Sequence, residues 1–514
     1  MLYMEKKYIL SIDSGGTGIR AILFNRSGEI VEKEYEKTLP STPVSGAIEH
    51  DPEVLWDALK SVVDKVFAKS EYSAEEVAAI GITNQRASFC LWERETGKPV
   101  SPLISWADVR CADMVEKMNK DFKYRAFRTF TKLISKLTNN VMLNVAGMLK
   151  LTSSHAVVRL YWLFKEKPEL LKRAEKGELM FGTLDTWFIY KLTAHKKHLT
   201  DVTNAAATSM YNHFQFEWNS IICSIFKIPM NIFPEVKENI DDFGMTEKSL
   251  WGVKIPIKAV AGDQMASLFG HCSFEKGSAK ISQGSGAFVD INVGEKPKLS
   301  KRGLFPLLAW KINGKTTYML EGIVATAGTL IDWLGKGMGL ADTPKVLNEF
   351  ASQTEDTNGV IFIPTPSGIN FPYFDARMRA SVFGLSLSTH RRHLARAVLE
   401  GIAMRDVEIM LGIEQDTDID IKSIRVDGGV SKSDILLQIL SDLADVRVER
   451  APESDMTATG VGYLAGIGAG FWQQKDLTNF CSNYDVFEPK IDEETRKTKI
   501  ERWKKAVKAA RLVK

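Results

Sequence analysis

Two apolar runs joined by a tip of small residues open the chain and constrain its fold more than any other feature. The stretch reads Ile9-Leu10-Ser11-Ile12-Asp13-Ser14-Gly15-Gly16-Thr17-Gly18-Ile19-Arg20-Ala21-Ile22-Leu23-Phe24. Strand-like runs around such a tip are typical of a β-hairpin. Because glycine lets successive backbone N–H groups turn to one side, the tip can surround a phosphate group. The sequence predicts a phosphate-binding hairpin, and a plain glycine-rich hairpin is the alternative.

Asp13 ends the first of these strands and is a candidate metal ligand. Mg²⁺ prefers carboxylate oxygen and keeps much of its water, so Asp13 is placed to hold it directly or through water. The tip lacks the Lys-Ser/Thr pair of a Walker loop, and no helical pattern follows it. The P-loop and the dinucleotide-binding βαβ motif are therefore excluded here.

The chain is longer than one hydrophobic core usually organises. Its 514 residues predict two domains of α/β type. With 67 basic and 64 acidic side chains, the net charge of +3 is too small to indicate a nucleic-acid partner. Since no apolar run is long enough to cross a bilayer, we expect no membrane partner and a soluble, unprocessed, cytoplasmic protein.

The five cysteines are widely scattered along the sequence. They are Cys90, Cys111, Cys223, Cys272 and Cys481. They form no CxxC pair, and no histidines cluster at metal-ligand spacing, so we expect neither a zinc site nor a disulfide framework. This cysteine usage fits a reducing cytosol.

The sequence after the hairpin predicts a third strand at Ile30–Tyr35, a helix that begins at Asp51-Pro52-Glu53 and a buried strand at Val77–Thr83. The last strand runs into Asn84-Gln85-Arg86, and open α/β sheets place ligands at the carboxyl ends of their strands.

Trp106, Asp108 and Arg110 follow within one short segment. An aromatic wall beside hydrogen-bonding charges suits a polyhydroxylated ligand. The alternative is a surface aromatic residue beside a salt bridge.

Two further stretches are interpreted as structural. From Phe122 to Lys165 there is no acidic residue, and basic residues at helical spacing predict an amphipathic helix that begins at Asp121. We favour a solvated basic face over an anion-binding site. Phe181–Trp187 and Thr200–Ala205 are predicted as strand-and-turn elements, with caps at Asp185, Asp201 and Asn204.

The second half of the chain repeats the opening pattern. The apolar strand 258–262 ends in Asp263, and residues 279–289 repeat the strand, small tip and strand around Gly284-Ser285-Gly286. This repeat implies two like-built domains that face each other across a cleft, each with a hairpin for nucleotide phosphates. Glycine turns at Gly322–Gly328 and Asp427-Gly428-Gly429 lead from strand to helix and suit close backbone approach to a nucleotide.

Taken in order, these blocks resemble the FGGY carbohydrate kinases, and among them most closely the glycerol kinases. The matching blocks are IDSGGTGIRA, AAIGITNQR, FGTLDTWFIYKLT, TDVTNAAAT, VAGDQMASLFG, FGLSLSTHRRHLARAVLEGIA and RVDGGVSKSDILLQILSDL. The resemblance implies an α/β fold of two actin-like (ribonuclease H-like) domains, residues 1–257 and 258–514, with the nucleotide cleft between them and the terminal helix packed back. It also implies phosphoryl transfer from ATP, with Mg²⁺, to a small polyol or sugar.

The resemblance assigns roles to individual positions. Asp263 matches the catalytic base, which fits the chemistry because an attacking alcohol must lose its proton. Asp13 matches the carboxylate on the Mg²⁺ side, which the resemblance implies contacts the metal through water. Gly16 and Gly18 stand where relatives often have Thr and Ser, and Ser433 where glycerol kinases have Asn. The positions that match ATP contacts are Gly16, Thr17, Gly18, Arg20, Ser285, Gly328, Gly429 and Ser433.

The acceptor positions depart from the glycerol kinase pattern. Those that match are Arg86, Trp106, Asp263 and Gln264. Ala87 replaces a glutamate, and Ser154 or His155 replaces a tyrosine. Loss of a charged partner to a substrate hydroxyl costs about 1.5–3 kcal/mol of binding.

We therefore expect a larger polyol or sugar as acceptor, with Asp108 as a replacement hydroxyl ligand. An authentic glycerol kinase is the alternative, and a non-catalytic actin-like ATPase is a remote one. A homodimer or higher homo-oligomer is expected.

Overall fold

The computed structural model describes residues 5–69, 71–138, 151–341 and 343–513. The chain forms two compact units. The first comprises Met1–Gly270, Leu308–Thr316 and Thr457–Phe480. The second comprises His271–Leu307, Thr317–Met456 and Cys481–Lys514.

The described strands, in chain order, are β1 Tyr8–Ser14, β2 Gly18–Phe24, β3 Ile30–Lys37, β4 Glu49–His50, β5 Val77–Asn84, β6 Phe89–Glu93, β7 Leu103–Ile104, β8 Leu179–Thr183, β9 Leu199–Asp201, β10 Tyr211–Asn212, β11 Glu217–Trp218, β12 Glu235–Lys237, β13 Ile257–Gly262, β14 Ala279–Gln283, β15 Ala287–Gly294, β16 Phe305–Ile312, β17 Lys315–Val324, β18 Ile361–Ile363, β19 Ser381–Phe383, β20 Ser423–Asp427, β21 Arg447–Arg450 and β22 Asp485–Phe487.

The described helices, in chain order, are α1 Pro52–Ala68, α2 Ala112–Lys120, α3 Phe122–Thr138, α4 Ala156–Glu166, α5 Pro168–Glu175, α6 Leu184–Leu192, α7 Val202–Ala207, α8 Ser220–Ile225, α9 Lys248–Trp251, α10 Asp263–Gly270, α11 Gly328–Lys336, α12 Pro344–Ala351, α13 Arg391–Thr417, α14 Asp434–Ala444, α15 Met456–Gly468, α16 Gln474–Phe480 and α17 Glu493–Ala510. Short 3₁₀ helices cover Ala74–Glu76, Met230–Ile232 and Gly429–Lys432.

The main sheet of the first unit has the strand order β13-β5-β1-β2-β3. Strands β1, β2 and β3 form the predicted antiparallel meander, while β5 and β13 run parallel to β1. Because β13 pairs with β5, the strand that leads to Asp263 belongs to the first unit. The predicted boundary between residues 257 and 258 thus falls inside that unit, whereas the structure divides the chain after Gly270.

Helix α1 covers this sheet and begins where the sequence predicts. Asp51 is its N-cap and accepts a hydrogen bond from the Glu53 N–H, and Pro52 occupies the first turn. Its apolar residues recur at helical spacing and are buried: Leu55, Leu59, Val62, Val63 and Val66. Complete burial of each such side chain contributes about 1.5–3 kcal/mol, so packing against the sheet fixes the helix.

A second sheet in the first unit has the order β4-β7-β6-β8. It packs with α4 into a separate apolar core that contains Phe89, Leu91, Leu160 and Phe181. This core supports the segment that carries Trp106.

Most residues of a seven-stranded sheet with the order β16-β17-β15-β14-β20-β21-β22 belong to the second unit. Strands β14 and β15 form the second predicted hairpin, and β20 runs parallel to β14. Helix α13 is largely buried, and the terminal helix α17 buries Trp503, Val507 and Ala510 on one face.

Two sequence-based expectations differ from the structure. Residues 184–192 form helix α6 where we expected a turn, because nearly all of its side chains are buried and so the segment lacks a polar face. The expectation of no disulfide is wrong for Cys272 and Cys481, which form one within the second unit. The other three cysteines are free and buried.

Candidate functional site

The tip of the first hairpin is a tight loop stabilised by its own backbone. The N–H of Gly15 donates to the Gly18 carbonyl at 3.0 Å. A Cβ on Gly18 would lie 2.2 Å from the Tyr35 hydroxyl, so a side chain at this position would require the Tyr35 ring to move. Gly16 and Thr17 are exposed at the tip. Their backbone is accessible to a ligand, as the sequence predicts.

Asp13 and Arg20 lie opposite each other across this hairpin. Arg20 Nε is 3.6 Å from Asp13 Oδ2, and the Asp13 side chain is 9% exposed. A nearly buried carboxylate beside this glycine tip has the hard oxygen donors that Mg²⁺ prefers. Among the residues that the structure describes, no group of three or more His, Cys, Asp or Glu side chains forms a metal site. A metal at Asp13 would therefore take its other ligands from water and substrate.

The carboxyl ends of β1, β5 and β13 meet at one edge of the sheet. In register, Ser14, Asn84 and Gly262 occupy one row across these strands. Neighbouring strands are about 4.8 Å apart, so Asp13 and Asp263 start from backbones about 10 Å apart. The predicted metal ligand and the predicted base therefore lie on the same edge of one sheet.

Asp263 begins α10 and pairs with Arg86. Arg86 Nε donates to Asp263 Oδ1 at 2.9 Å, and the Gln264 N–H donates to the same oxygen at 2.8 Å. No donor among the described residues bonds the second oxygen, Oδ2. The Asp263 side chain as a whole is 28% exposed, so the carboxylate is accessible to a ligand. The structure brings Arg86 to Asp263 and its neighbour Gln264, although Arg86 lies 177 residues before Asp263 in the sequence.

Gln85 is a neighbour of this group to which the sequence assigns no role. It is buried, and its Nε2 donates to the Gly15 carbonyl at 3.4 Å. Gln85 thereby connects the strand that carries Arg86 to the hairpin tip.

Trp106 and Asp108 have different environments. The Trp106 ring is partly exposed, and its backbone N–H donates to Ser88 Oγ at 3.0 Å. The Asp108 carboxylate is buried and accepts the backbone N–H groups of Ile48 and Arg110, each at 3.0 Å. It also forms an ion pair with the Arg110 side chain at 2.7 Å. An acceptor hydroxyl would have to share this carboxylate with those donors, and the role of Asp108 as a ligand stays a prediction.

Arg159 is a buried residue that sequence reasoning missed. Its guanidinium donates to the Ala87 carbonyl at 2.7 Å, to that of Ser105 at 2.6 Å and to that of Ser154 at 2.9 Å. It makes two further bonds to backbone carbonyls. Burial lowers the pKa of Arg159 to about 10. Arg159 thus fastens three segments that carry predicted acceptor residues.

In the second unit, the tip of the β14-β15 hairpin supports the start of α11. The Gly284 N–H donates to the Gly286 carbonyl at 2.9 Å, and Ser285 is exposed. The Gly328 N–H donates to the Gly284 carbonyl at 3.0 Å. A Cβ on Gly328 would lie 2.7 Å from that carbonyl oxygen, so the contact requires glycine. Ser285 and Gly328 are therefore neighbours.

The loop after β20 lies beside the same tip. Gly428 has a φ of +93°, and a Cβ there would lie 2.4 Å from the Gln283 carbonyl oxygen. No atom lies within 4 Å of a Cβ built on Gly429, so its backbone is open to a ligand. Ser433 caps α14 by accepting the Leu436 N–H at 3.1 Å and donates to Asn348 Oδ1. The Ser433 hydroxyl is thus already engaged within the protein.

The two groups of predicted residues belong to different units. The first unit holds Asp13, the Gly16–Gly18 tip, Arg86 and Asp263. The second unit holds Ser285, Gly328, Gly429 and Ser433. In the described part of the chain, no helix is both long and apolar enough to cross a membrane.

Known proteins resemble this chain over its whole length. The FGGY family of carbohydrate kinases matches with its N-terminal domain at residues 8–270 and with its C-terminal domain at residues 279–469. A glycerol kinase from Carboxydothermus hydrogenoformans is 37% identical over 512 residues, which are 99% of each chain. A crystal structure of Plasmodium falciparum glycerol kinase with ADP has a TM-score of 0.89 and 30% identity over 98% of each chain. Gluconate kinase from Lactobacillus acidophilus, at 22% identity and a TM-score of 0.84 over 98% of each chain, shares the fold.

Proposed function

Because this chain belongs to the FGGY family of carbohydrate kinases, we propose that Asp263 is the base of an ATP-dependent phosphorylation of a small polyol or sugar. Its two units are the actin-like α/β domains of that family. The chain is a phosphotransferase that acts on a carbohydrate or polyol. The roles of individual residues, the acceptor and the metal are our proposals.

The pairing of Asp263 with Arg86 carries the proposal for the base. An acceptor hydroxyl must lose its proton as it attacks the γ-phosphorus, and a carboxylate within hydrogen-bond reach accepts that proton. Arg86 and the Gln264 N–H hold Oδ1 and thereby fix the carboxylate, while Oδ2 stays available to the hydroxyl.

The proposed nucleotide contacts come from backbone and small residues. Ser285, Gly328 and Gly429 would contact the nucleotide in the second unit, where the glycines leave room for it. In the first unit, the Gly16–Gly18 tip and Arg20 would contact phosphate oxygens. Asp13 would hold Mg²⁺, which when bound neutralises charge on the phosphate oxygens. Ser433 would act on the nucleotide through the loop that it caps.

Ala87 and Ser154 support an acceptor larger than glycerol. Their carbonyls accept from one nitrogen of Arg159, so these two positions are neighbours. The two small side chains stand where the resemblance expects a glutamate and a tyrosine, so the replacements make room at one place. Trp106 would pack on the acceptor, and Arg86, Gln264 and Asp108 would bind its hydroxyl groups.

An authentic glycerol kinase is the second candidate. It is favoured by the 37% identity to a protein of that name over almost the whole chain. Related folds serve kinases named for other acceptors, so the fold does not choose between these candidates.

A panel of acceptors tests the proposal. ADP release is measured with glycerol, larger polyols, pentoses, ketoses and sugar acids, and each product is identified by mass. We expect saturable ADP release and a phosphorylated product with a larger polyol or sugar, at a higher kcat/KM than with glycerol. Glycerol as the best acceptor would instead establish the second candidate, and ATP hydrolysis with no phosphorylated product would contradict both.

We also propose that the protein works in the cytoplasm and forms a homodimer or higher homo-oligomer. The cytoplasm supplies ATP, and three of the five cysteines are free. Exposed apolar residues on α3, including Phe122 and Phe130, offer a candidate contact surface between subunits. Sedimentation velocity measures the oligomeric state, and a single monomer species at micromolar concentration would contradict the proposal.

A further inference from the structure

Position 262, immediately before Asp263, is occupied by glycine because a larger residue would clash with Arg86. A Cβ at this position would lie 2.8 Å from Arg86 Cγ and 2.9 Å from Arg86 Cδ. Glycine therefore lets Arg86 pass and reach Asp263. Glycine also has the greatest backbone freedom of any residue, so the peptide that orients the base must be restrained by other contacts.

Thr203 supplies a restraint at that peptide. Strand β13 is an edge strand, and the Gly262 N–H does not point at a further strand. It donates instead to Thr203 Oγ1 at 2.8 Å. Gly262 and Thr203 are buried, so water does not replace this bond.

Asp201 holds Thr203 in place. Its Oδ2 accepts the Thr203 N–H at 2.7 Å and the Thr203 hydroxyl at 2.5 Å. Because the hydroxyl proton is donated to Asp201, Oγ1 presents its lone pairs to the Gly262 N–H. The direction of the hydrogen bonds therefore runs from Gly262 through Thr203 to Asp201.

The same Asp201 oxygen holds a second restraint on β13. It accepts from Asn239 Nδ2 at 2.8 Å, and that nitrogen also donates to the Val260 carbonyl at 2.9 Å. The Val260 N–H donates to the Asn239 carbonyl at 3.0 Å. Asp201, Thr203 and Asn239 are here called the Asp201 cluster. Together they hydrogen-bond the backbone of Val260 and Gly262, the last residues of β13 before the base, on the side away from β5.

We propose that Thr203, oriented by Asp201, is a positioning residue that fixes the direction of Asp263 during phosphoryl transfer. This inference rests on the proposed function of Asp263 as base. Thr203 does not contact a substrate, and it acts by restraining Gly262. All members of the cluster are fully buried, and hydrogen bonds are stronger in such surroundings than in water. Asp201 thus caps helix α7, as the sequence predicts, and also holds Thr203 and Asn239 in place against β13.

Thr203→Val tests the inference, because valine keeps the shape of threonine and removes the oxygen. A displacement of a catalytic group by about 1 Å reduces turnover by up to about 100-fold. We expect kcat to fall about 10- to 100-fold, with KM for ATP unchanged within about twofold. Thr203→Ser keeps the oxygen and is expected to retain kcat within about threefold.

Thr200→Val is the matched control. Thr200 is equally buried, and its hydroxyl donates to Asp185 Oδ2 at 2.6 Å. Its described side-chain bonds go to Asp185 and Thr183, not to β13. A purely structural effect would lower the melting temperature and the active fraction in both valine variants. We expect similar melting temperatures but a loss of kcat per folded molecule in Thr203→Val alone, and equal kcat in both would overturn the inference.

A double-mutant cycle separates this inference from the proposed function. If Thr203 acts through Asp263, Thr203→Val causes no further loss of turnover in an Asp263→Asn background. Full additivity would overturn the positioning role and leave the base assignment intact. An Asp263→Asn variant with normal turnover would refute the base itself. Should Thr203→Val fail to fold, Thr203→Ala removes the same oxygen and is judged by the same criteria.

Discussion

Each unit contains a glycine-tipped hairpin, and the two hairpins differ in tip length and in the chemistry around them. In the first unit the Gly15 N–H bonds the Gly18 carbonyl, and in the second the Gly284 N–H bonds the Gly286 carbonyl. Two residues before the first glycine of each tip, one unit has Asp13 opposite Arg20. The other has Ser282 opposite Phe288. Two glycine-tipped hairpins thus carry an ionic pair in the first unit and an uncharged pair in the second.

The residues around the two tips differ in the same way: they are charged in the first unit and mainly glycine in the second. The strands beside the first tip lead to Arg86 and Asp263, which form an ion pair. The elements beside the second tip are glycine turns at Gly328 and Gly428, where side chains are excluded by nearby backbone. Under our proposal, the first unit supplies the charged groups for catalysis, and the second supplies a close-fitting surface for a nucleotide.

Replacement of Asp13, the charged residue of the first hairpin, by a neutral residue is expected to give the largest effect. Asp13→Asn removes the proposed Mg²⁺ carboxylate, so we expect kcat to fall about 100-fold and the Mg²⁺ requirement to rise. Ser282→Ala at the matching position of the second hairpin is expected to change kcat less than about threefold, because a hydroxyl contributes little to metal binding. Initial rates across a Mg²⁺ titration measure both. Equal losses would contradict the division of roles.

For glycine-to-alanine substitutions in the two tips, we expect the larger effect in the second unit. A Cβ on Gly286 would lie 2.5 Å from the Val324 carbonyl oxygen, and backbone cannot move aside cheaply. Gly286→Ala should distort the second tip and raise KM for ATP about tenfold, which corresponds to 1.4 kcal/mol. The nearest atom to a Cβ on Gly16 is 3.8 Å away, so Gly16→Ala should leave KM within about twofold. Similar KM values for the two variants would count against the geometry of the second tip.

The smallest expected effect concerns one buried carboxyl group in each unit. Burial raises the pKa of Asp185 and of Asp406 to about 7. In each, Oδ1 is buried and has no hydrogen-bond partner among the described residues. The unfolded chain releases these protons near pH 4. Between about pH 4 and pH 7 the folded state therefore binds more protons, and the free energy of unfolding falls as pH rises.

Asp185→Asn and Asp406→Asn each replace one of these carboxyl groups with an amide that does not titrate. We expect each variant to lose less stability than the parent between pH 4.5 and pH 7, by a melting-temperature difference on the order of 2–4 °C. Thermal unfolding at several pH values measures this difference. A parallel pH dependence in parent and variants would show that these carboxyl groups do not titrate in this window.

Local patterns were enough to predict much of the fold. The glycine tips, the Asp51 cap with its buried stripe and the apolar strands depend on neighbouring residues, and the structure has them where predicted. Helix α6 was missed because it is buried on nearly all sides, which removes the polar face that marks a helix.

Contacts between residues far apart in the chain could not be predicted from local sequence patterns. Pairing of β13 with β5 places Asp263 in the first unit, and nothing in the spacing of residues requires that pairing. Cys272 and Cys481 are 209 residues apart, and Arg159 lies in an apolar helical pattern that does not reveal its carbonyl partners. Asp263 and Arg86 were identified by resemblance, and their 2.9 Å ion pair adds a geometric reason for that assignment.

The most direct test of the account is the single-turnover rate of Asp263→Asn with the best acceptor of the panel. We expect the rate of phosphoryl transfer to fall at least about 1,000-fold, since the variant lacks both the base and the charge paired with Arg86. ADP affinity, measured by calorimetry on the same protein, should stay within about twofold. Phosphoryl transfer at more than about a tenth of the parent rate would contradict the assignment of Asp263 as the base.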